Sequence, residues 1–225
     1  MNKLIVTEDG SHTLFSEQFG EHYHSLHGAI QESRHIFIEA GLKQHRAIDL
    51  NILEIGFGTG LNALLSYIEA LKSDKAIRYT SLELYPLSIQ DIEQINYGDV
   101  LGHENEFLEL HEASWGKWIE INATFKLHKL KLDILTCELV DKYDLIFFDA
   151  FSPEIQPELW TESIFDKIAR VCNPGAILTT YSVKGAVRRA LQKVGFEVER
   201  IPGPPGKREI MRATMLERKT SASKV

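Results

Sequence analysis

The spacing of apolar residues changes along this chain, and the changes outline its elements. From residue 51 onward, short apolar runs alternate with stretches in which apolar residues recur every three or four positions, as expected for strands alternating with helices. The run Leu145-Ile146-Phe147-Phe148 is apolar throughout, which is typical of a strand covered by helices on both faces. The pattern predicts strands at Asn51–Ile55, Tyr79–Leu84, Lys126–Leu130, Tyr143–Phe148, Ala176–Tyr181 and Phe196–Ile201, and helices near residues 60–72, 86–96, 158–172 and 184–194.

The order of these elements predicts one doubly wound α/β domain over residues 49–218. The final run, Glu209–Glu217, follows the strand at 196–201 after a loop that is too short for a crossover helix. We therefore expect these two strands to pair antiparallel, in an otherwise mostly parallel sheet of seven strands.

Residues 1–48 precede this pattern and are predicted to form an N-terminal extension. Residues 3–15 are predicted to form a β-hairpin, because Asp9-Gly10 stands between two short runs that fit strands. Residues 28–41 fit an amphipathic helix. At the other end of the chain, residues 219–225 are polar and are predicted to be a flexible tail.

Composition narrows the class of protein. Hydrophobic residues make up 44% of the 225 residues and charged residues 25%, which suits one domain with a real core. No stretch approaches the about 18 apolar residues of a membrane span, and the N-terminus turns acidic too early for a signal peptide. The two cysteines and the histidines at 22, 24 and 27 do not make a four-ligand metal pattern. We expect a cytoplasmic protein without a metal.

The net charge of −7 is unevenly distributed. The segment from Lys184 to Val225 holds eleven Lys and Arg against four Glu, and the rest of the chain carries the acidic excess. Such asymmetry indicates a basic surface for an anion on an otherwise acidic body. On charge alone, a solvated basic helix and tail is the favoured explanation of the pattern.

A glycine-rich segment at residues 54–62 stands where the first parallel strand turns into a helix. Its glycines permit a tight turn and a close approach to a ligand at the helix N-terminus. The third glycine comes one residue early for a dinucleotide fingerprint, and no Lys-Ser/Thr pair follows as in a P-loop. The alternative is a purely structural turn. The E-x-G-x-G-x-G form is similar to motif I of S-adenosylmethionine-dependent methyltransferases, which implies cofactor contacts from Glu54, Gly56, Phe57, Gly58, Thr59, Gly60 and Asn62.

Three acidic residues lie at or just after the ends of predicted strands. Glu83 suits ribose hydroxyls, with a solvent-exposed glutamate as the alternative. Asp133 suits the adenine amino group, as is typical in this fold, or the N-cap of a helix. Asp149 follows four apolar residues, so partial burial would make an unpaired carboxylate costly. We expect Asp149 to face a cationic or hydrogen-bond-donating ligand, the alternative being a cap before the Pro-containing turn.

With these residues in view, the sequence resembles the methyltransferase domain of the MnmC-type tRNA 5-methylaminomethyl-2-thiouridine biosynthesis enzymes over roughly residues 10–217. The resemblance implies a Rossmann-like class I methyltransferase fold and methyl transfer from S-adenosylmethionine to the amine of 5-aminomethyl(-2-thio)uridine, at the wobble position in the tRNA anticodon loop. It is carried by Phe15-Ser16-Glu17-Gln18-Phe19-Gly20-Glu21-His22-Tyr23-His24-Ser25 with Glu32-Ser33, residues 54–62, Asp149-Ala150-Phe151-Ser152-Pro153 with Pro157-Glu158-Leu159-Trp160, and Gly206-Lys207-Arg208-Glu209-Ile210-Met211.

Two departures from the family pattern matter. Bifunctional members carry a second, flavin-dependent oxidoreductase domain, whereas these 225 residues show no second nucleotide-binding motif. We therefore expect methyl transfer without the oxidoreductase activity. Gln156-Pro157 stands where the family often has Asn-Pro, which leaves the role of Gln156 open.

Roles follow for the remaining candidates. Asp149 is the catalytic candidate, as the acceptor that orients the amine N–H bonds and takes up a proton. Phe151 and Trp160 are candidates to stack on the uracil, with core packing an equal alternative for Trp160. The candidates to contact tRNA phosphates are Lys184, Arg188, Arg189, Lys207 and Arg208.

Two other functions fit parts of the pattern. An aminopropyltransferase related to spermidine synthase shares the fold, the glycine loop and an acid after the fourth strand. The basic C-terminal segment favours RNA over a polyamine as substrate. A non-catalytic RNA- or nucleotide-binding module is the third hypothesis, which the joint presence of Glu83, Asp133 and Asp149 disfavours.

Overall fold

Two β-sheets organise the protein, whose structure is a computed structural model that describes residues 2–217; the predicted tail at 219–225 lies outside the described residues. The strands are β1 Lys3–Val6, β2 His12–Ser16, β3 Glu21–His22, β4 Asp49–Ile55, β5 Ala76–Leu82, β6 Trp118–Asn122, β7 Phe125–Leu130, β8 Tyr143–Phe148, β9 Cys172–Thr180, β10 Phe196–Pro202 and β11 Glu209–Met215.

Helices cover the larger sheet. The α-helices are α1 Ala29–Ser33, α2 Leu61–Lys72, α3 Ile89–Ile92, α4 Tyr97–Leu101, α5 Glu104–Glu112, α6 Glu162–Val171 and α7 Gly185–Lys193. A π-helical segment at Arg34–Glu39 continues α1, and 3-10 turns occur at Leu42–Gln44 and Pro157–Trp160. No helix within residues 2–217 combines the length and the apolar character that a membrane span needs.

The order of the larger sheet is β10-β11-β9-β8-β4-β5-β7-β6. Strand β4 pairs in parallel with both β5 and β8, so the strand order reverses at β4. Strand β11 lies antiparallel between β9 and β10. The carboxyl ends of six strands, β4, β5, β7, β8, β9 and β10, therefore lie at one edge of the sheet. The predicted α/β fold, with a doubly wound, mostly parallel sheet and an antiparallel last strand, is confirmed.

The sheet has eight strands, so the predicted count of seven is wrong. The extra strand is β6, which pairs antiparallel with β7 at the edge of the sheet. From Ile119 to Asn122 its sequence alternates apolar and polar residues, as suits a strand with one face toward solvent.

The predicted helix at 86–96 is also largely wrong, because only Ile89–Ile92 is helical there and two further helices follow. Ser88 caps this short helix by accepting a hydrogen bond from the Asp91 N–H. The helix does not continue through Asn96, whose side chain binds the N-terminal hairpin instead. Its Oδ1 accepts from the His12 N–H at 2.8 Å, and its Nδ2 donates to the Gly10 carbonyl at 2.9 Å. A contact between distant segments thus overrides the local helical pattern.

The N-terminal extension packs against the larger sheet. The predicted hairpin is present as β1 and β2, and β3 adds a third strand. Leu14, Ile30 and Phe37 are buried in the same cluster as Ile52 and Phe147 of the larger sheet. A second cluster fills the opposite face of the sheet, so both faces are covered. The boundary of the extension at residue 48 stays a prediction.

We predict that Phe147→Ala lowers the free energy of unfolding by about 3–5 kcal/mol. Phe147 is fully buried, with its ring centroid 5.1 Å from that of Phe37 and 6.1 Å from that of Tyr79, so truncation leaves a cavity. Urea unfolding measures the change. Val140→Ala, at a side chain that is 83% exposed, is the control and shifts stability by less than about 0.5 kcal/mol. Similar losses in both variants contradict the assigned core.

Candidate active site

A cavity of about 460 Å³ opens at the carboxyl edge of the larger sheet. This volume is in the range of small-molecule and cofactor pockets. Its wall combines the turn after β4, the ends of β5, β7 and β8, and part of the N-terminal extension. The predicted site residues that line the cavity are Gly56, Phe57, Gly58, Thr59, Asn62, Glu83, Asp133, Asp149, Phe151 and Lys207. The structure places Glu54, Gly60, Trp160, Lys184, Arg188, Arg189 and Arg208 outside this lining.

The glycine turn has a backbone that only glycine adopts without strain. Gly56, Gly58 and Gly60 have φ angles of 94°, 49° and 73°. A Cβ at Gly56 would lie 2.7 Å from the Asp149 carbonyl oxygen, which is too close for any side chain. The turn therefore lies directly against the end of β8, and α2 begins just after it at Leu61.

Glu83 holds the glycine turn from the end of β5. Its carboxylate accepts hydrogen bonds from the Gly58 N–H at 3.0 Å and from the Tyr85 N–H at 2.7 Å. A carboxylate has about four acceptor positions, so capacity remains for ligand hydroxyls on the cavity side. Glu83 is half-buried, so the alternative of a solvent-exposed glutamate is wrong.

Asp133 makes a local hydrogen bond and also faces the cavity. Its Oδ1 accepts a hydrogen bond from the Leu135 N–H at 2.8 Å, which is a local capping contact. The same residue also lines the cavity, after the end of β7. The adenine-binding role stays a prediction.

Asp149 is the acid at the end of β8. Its Oδ2 accepts a hydrogen bond from Asn62 Nδ2 at 2.8 Å, and no other side chain of residues 2–217 bonds this carboxylate. Burial raises the pKa of Asp149 to about 7; the Asn62 hydrogen bond and Lys207 act against this, and Glu32 adds to it. Near neutral pH this carboxyl group is therefore poised between its two protonation states and can exchange a proton with a ligand.

Glu54 lies beneath the cavity, so its predicted contact with the cofactor is wrong as a direct one. Its side chain is fully buried, and Ser81 Oγ donates to Oε2 at 2.6 Å. Burial raises the pKa of Glu54 to about 8. Gly60 is likewise turned away from the cavity, against the His111 ring. Both residues support the turn from below.

The N-terminal extension supplies a wall that residue-by-residue sequence reasoning missed. Glu21, Tyr23, His24 and Glu32 all line the cavity. His24 Nε2 lies 2.7 Å from Thr59 Oγ1, so the extension is bonded to the glycine turn. Burial lowers the pKa of His24 to about 4, which keeps the ring neutral. The only signal in the sequence was the resemblance carried by residues 15–25 and by Glu32-Ser33, and it assigned no roles to them.

The two aromatic candidates behave differently. Phe151 lines the cavity and stacks on Phe19, with ring centroids 4.5 Å apart. Trp160 is only 6% exposed and packs edge-on against Phe148 at 4.8 Å. Its Nε1 donates to the Phe151 carbonyl at 2.8 Å. The predicted stacking role of Trp160 is therefore wrong and the core alternative holds, because its ring is enclosed by the second core cluster.

The five basic candidates fall into three groups. Lys207 lines the cavity and forms a salt bridge with Glu32. Lys184 forms a salt bridge with Glu154. The other three, Arg188, Arg189 and Arg208, are exposed and form no salt bridge within residues 2–217.

A family model described as S-adenosyl-L-methionine-dependent methyltransferase matches residues 104–216, just over half of the chain. The chain belongs to the S-adenosyl-L-methionine-dependent methyltransferase family. S-adenosylmethionine is accordingly the cofactor, as the glycine turn predicted.

Curated relatives of this methyltransferase carry the name tRNA 5-methylaminomethyl-2-thiouridine biosynthesis bifunctional protein MnmC. The protein from Leptospira interrogans is 30% identical over 222 residues, covering 92% of this chain and 34% of the relative. The protein from Azoarcus sp. is 33% identical over 235 residues, covering 96% of this chain and 36% of the relative. The chain thus spans about a third of the length of these relatives, and the predicted resemblance is confirmed.

Solved structures agree with this placement. The crystal structure of MnmC2 from Aquifex aeolicus matches with a TM-score of 0.77 and 27% identity, over 96% of this chain and 70% of that one. Spermidine synthase from Thermotoga maritima matches with a TM-score of 0.56 and 12% identity, over 96% of this chain and 71% of that one. The second likeness shows the fold alone.

The residues present fit S-adenosylmethionine. Gly56 and Gly58 of the glycine turn line the cavity, and α2 begins just after the turn at Leu61. Glu83 offers acceptors for ribose hydroxyls, and Asp133 offers one for an amino group. The acids along the cavity, Asp149 included, suit a ligand that carries a positive sulfonium.

We predict that Glu83→Ala weakens binding of S-adenosylmethionine and of its demethylated product alike, by about tenfold to a hundredfold, since hydrogen bonds to a charged acceptor are lost. Isothermal titration calorimetry measures both affinities. Glu138→Ala is the matched control, because Glu138 is an exposed acid outside the cavity. Unchanged affinity in Glu83→Ala would remove this residue from the cofactor site.

Proposed function

We propose that this methyltransferase acts on the primary amine of 5-aminomethyl(-2-thio)uridine at the wobble position of tRNA. The observation that carries the proposal is the Asp149 carboxyl group, which faces the cofactor cavity with a single side-chain donor, Asn62. The names of the curated relatives refer to 5-methylaminomethyl-2-thiouridine, whose methylamino group is the expected product of such a transfer.

For this reaction the protein must align the two reactants and take one proton from the acceptor ammonium. S-adenosylmethionine supplies, when bound, a methyl group on a sulfonium that is a good leaving group. A primary alkylamine has a pKa of about 10.4 in water, so the acceptor arrives mainly as an ammonium and its nitrogen has no lone pair. Ionised Asp149 accepts a hydrogen bond from an N–H group of that ammonium and then takes the proton. The freed nitrogen lone pair is then available to the methyl group, whose bond to sulfur would break as the N–C bond forms. Alignment of the two reactants lowers the barrier by about 7–11 kcal/mol.

Phe151 supports recognition of a base. Its ring lines the cavity, and contacts with Phe19 and with Tyr23, at 4.5 and 5.0 Å between centroids, fix its orientation. Uracil in a single-stranded loop stacks on such rings. We assign Phe151 this stacking role.

The RNA-binding face is proposed to lie at the edge where the cavity opens. Helix α7 begins after β9 at the carboxyl edge, and it carries Arg188 and Arg189. Arg208 lies in the loop between β10 and β11, which starts from the same edge. Exposed guanidinium groups without acidic partners are available for phosphate groups, and they add affinity without reading sequence.

The decisive experiment is nucleoside mass spectrometry of tRNA that contains 5-aminomethyluridine, after incubation with the protein and S-adenosylmethionine. A gain of one methyl group on the aminomethyl side chain supports the proposal. Putrescine with decarboxylated S-adenosylmethionine tests the aminopropyltransferase hypothesis in parallel. Aminopropyl transfer there, with unmodified tRNA in the first reaction, would replace the proposal by that alternative.

We predict that Asp149→Asn lowers turnover by about a hundredfold to ten-thousandfold and weakens affinity for S-adenosylmethionine much less. In the wild type, the rate rises with pH up to a break at or below about 7, because only the ionised carboxylate takes the proton and the positive cofactor favours that form. The variant lacks this break. Rates between pH 5 and 9 check both statements, and a variant with the wild-type break would contradict the role of Asp149.

We predict that joint substitution of Arg188, Arg189 and Arg208 by Ala weakens tRNA binding and lowers the slope of log K against log salt by about two. Filter binding between low and moderate salt measures the slope. Lys184→Ala is the matched control and changes the slope less, since Lys184 already pairs with Glu154. Equal slopes in the wild type and the triple variant would place the RNA elsewhere.

A further inference from the structure

The chain places a primary ammonium of its own inside the cavity. Lys207 Nζ lies 3.3 Å from Glu32 Oε1 and 5.0 Å from the centroid of the Tyr181 ring. All three residues line the cavity together with Asp149. A carboxylate and an aromatic face are the two partners that an alkylammonium prefers. The mechanism described above makes no use of this cluster.

The partners of Lys207 are held by other contacts, so the cluster does not depend on the lysine. Glu32 Oε2 accepts a hydrogen bond from the Ser25 N–H at 2.8 Å. The Tyr181 hydroxyl donates to the Ala150 carbonyl at 2.8 Å, one residue beyond Asp149. Lys207 itself lies in the loop between β10 and β11, on a long side chain with many rotamers. The lysine can leave while the carboxylate and the ring stay in place.

We propose that Glu32 and Tyr181 form the ammonium-binding part of the acceptor site, and that Lys207 occupies it until the protonated amine of the acceptor displaces it. This inference rests on the proposed function, whose acceptor is a primary alkylammonium of the same chemistry as a lysine side chain. Once bound there, the acceptor lies in the same cavity as Asp149. One N–H bond breaks, its proton passes to the Asp149 carboxylate, and the electron pair stays on nitrogen for the methyl group.

The arrangement also selects the class of acceptor. A neutral side chain on the base cannot replace the Lys207 ammonium as the ion-pair partner of Glu32, so it leaves the salt bridge intact. A cationic amine replaces one charge by another at little electrostatic cost, and its binding is weakened only by the fraction of time that Lys207 is bound. The site therefore favours primary alkylammonium groups over uncharged substituents.

Binding of n-propylammonium chloride tests the subsite without tRNA. The probe is titrated into the protein at constant ionic strength and followed by NMR, with n-propanol as the neutral probe. We expect Lys207→Met to bind propylammonium about tenfold more tightly than the wild type, because the competing cation is gone. We expect Glu32→Gln to lose binding, although its amide oxygen still accepts the Ser25 N–H. Glu158→Gln is the control, since Glu158 is an exposed acid of the same cavity that forms no salt bridge with Lys207.

Equal propylammonium affinity in the wild type, Lys207→Met and Glu32→Gln would overturn the proposal, as would equal binding of propanol. If circular dichroism shows that Glu32→Gln is unfolded, Tyr181→Leu replaces it and is expected to lose binding. Tyr181→Phe is its control, because it keeps the aromatic ring and is expected to keep the binding. The outcome is separable from the proposed function. If tRNA is methylated but propylammonium does not show this binding pattern, the subsite proposal fails and the proposed function stands. If the binding pattern is found but tRNA is not methylated, the subsite stands and its acceptor is another amine.

Discussion

The structure depends on the close approach of two backbone segments, the turn after β4 and the end of β8. A Cβ at Gly56 would lie 2.7 Å from the Asp149 carbonyl oxygen, so only glycine permits the approach. It brings Asn62, in the first turn of α2, within 2.8 Å of the Asp149 carboxylate. Because β4 and β8 are neighbours where the strand order reverses, their loops leave a crevice between them. The cofactor cavity and the reactive acid thus arise from one contact.

Acidic side chains in this crevice carry an electrostatic cost in the free protein. Burial raises the pKa of Asp149 to about 7, so its ionised form is disfavoured until a cation arrives. The cofactor brings a sulfonium, and the proposed acceptor brings an ammonium. In the free protein, Lys207 supplies a cation to Glu32. The acidic side chains of the cavity are therefore suited to selecting two positively charged reactants.

The acceptor side of the cavity is built by segments that are far apart in the chain. Glu32 comes from the N-terminal extension, Asp149 follows β8, and Lys207 comes from the loop between β10 and β11. Asp149 and Lys207 lie in loops and Glu32 lies in α1, so hydrophobic periodicity does not show that these side chains meet. The family resemblance marked all three of them by their residue types, yet it could not say which side chains meet. Trp160 shows the limit most clearly, since its position beside Phe151 reflects packing and a backbone hydrogen bond.

By itself, the sequence determined the alternation of strands and helices, the antiparallel last strand and the glycine turn with its acids. These features follow from local rules: apolar periodicity, loop length and the freedom of glycine. Tertiary structure decided the rest. It ended the predicted helix at 86–96 when Asn96 bonded the N-terminal hairpin, added β6 at the sheet edge, and turned Glu54 into a buried support. It also brought Lys207 to Glu32, because such pairings depend on distances between segments that no local pattern encodes.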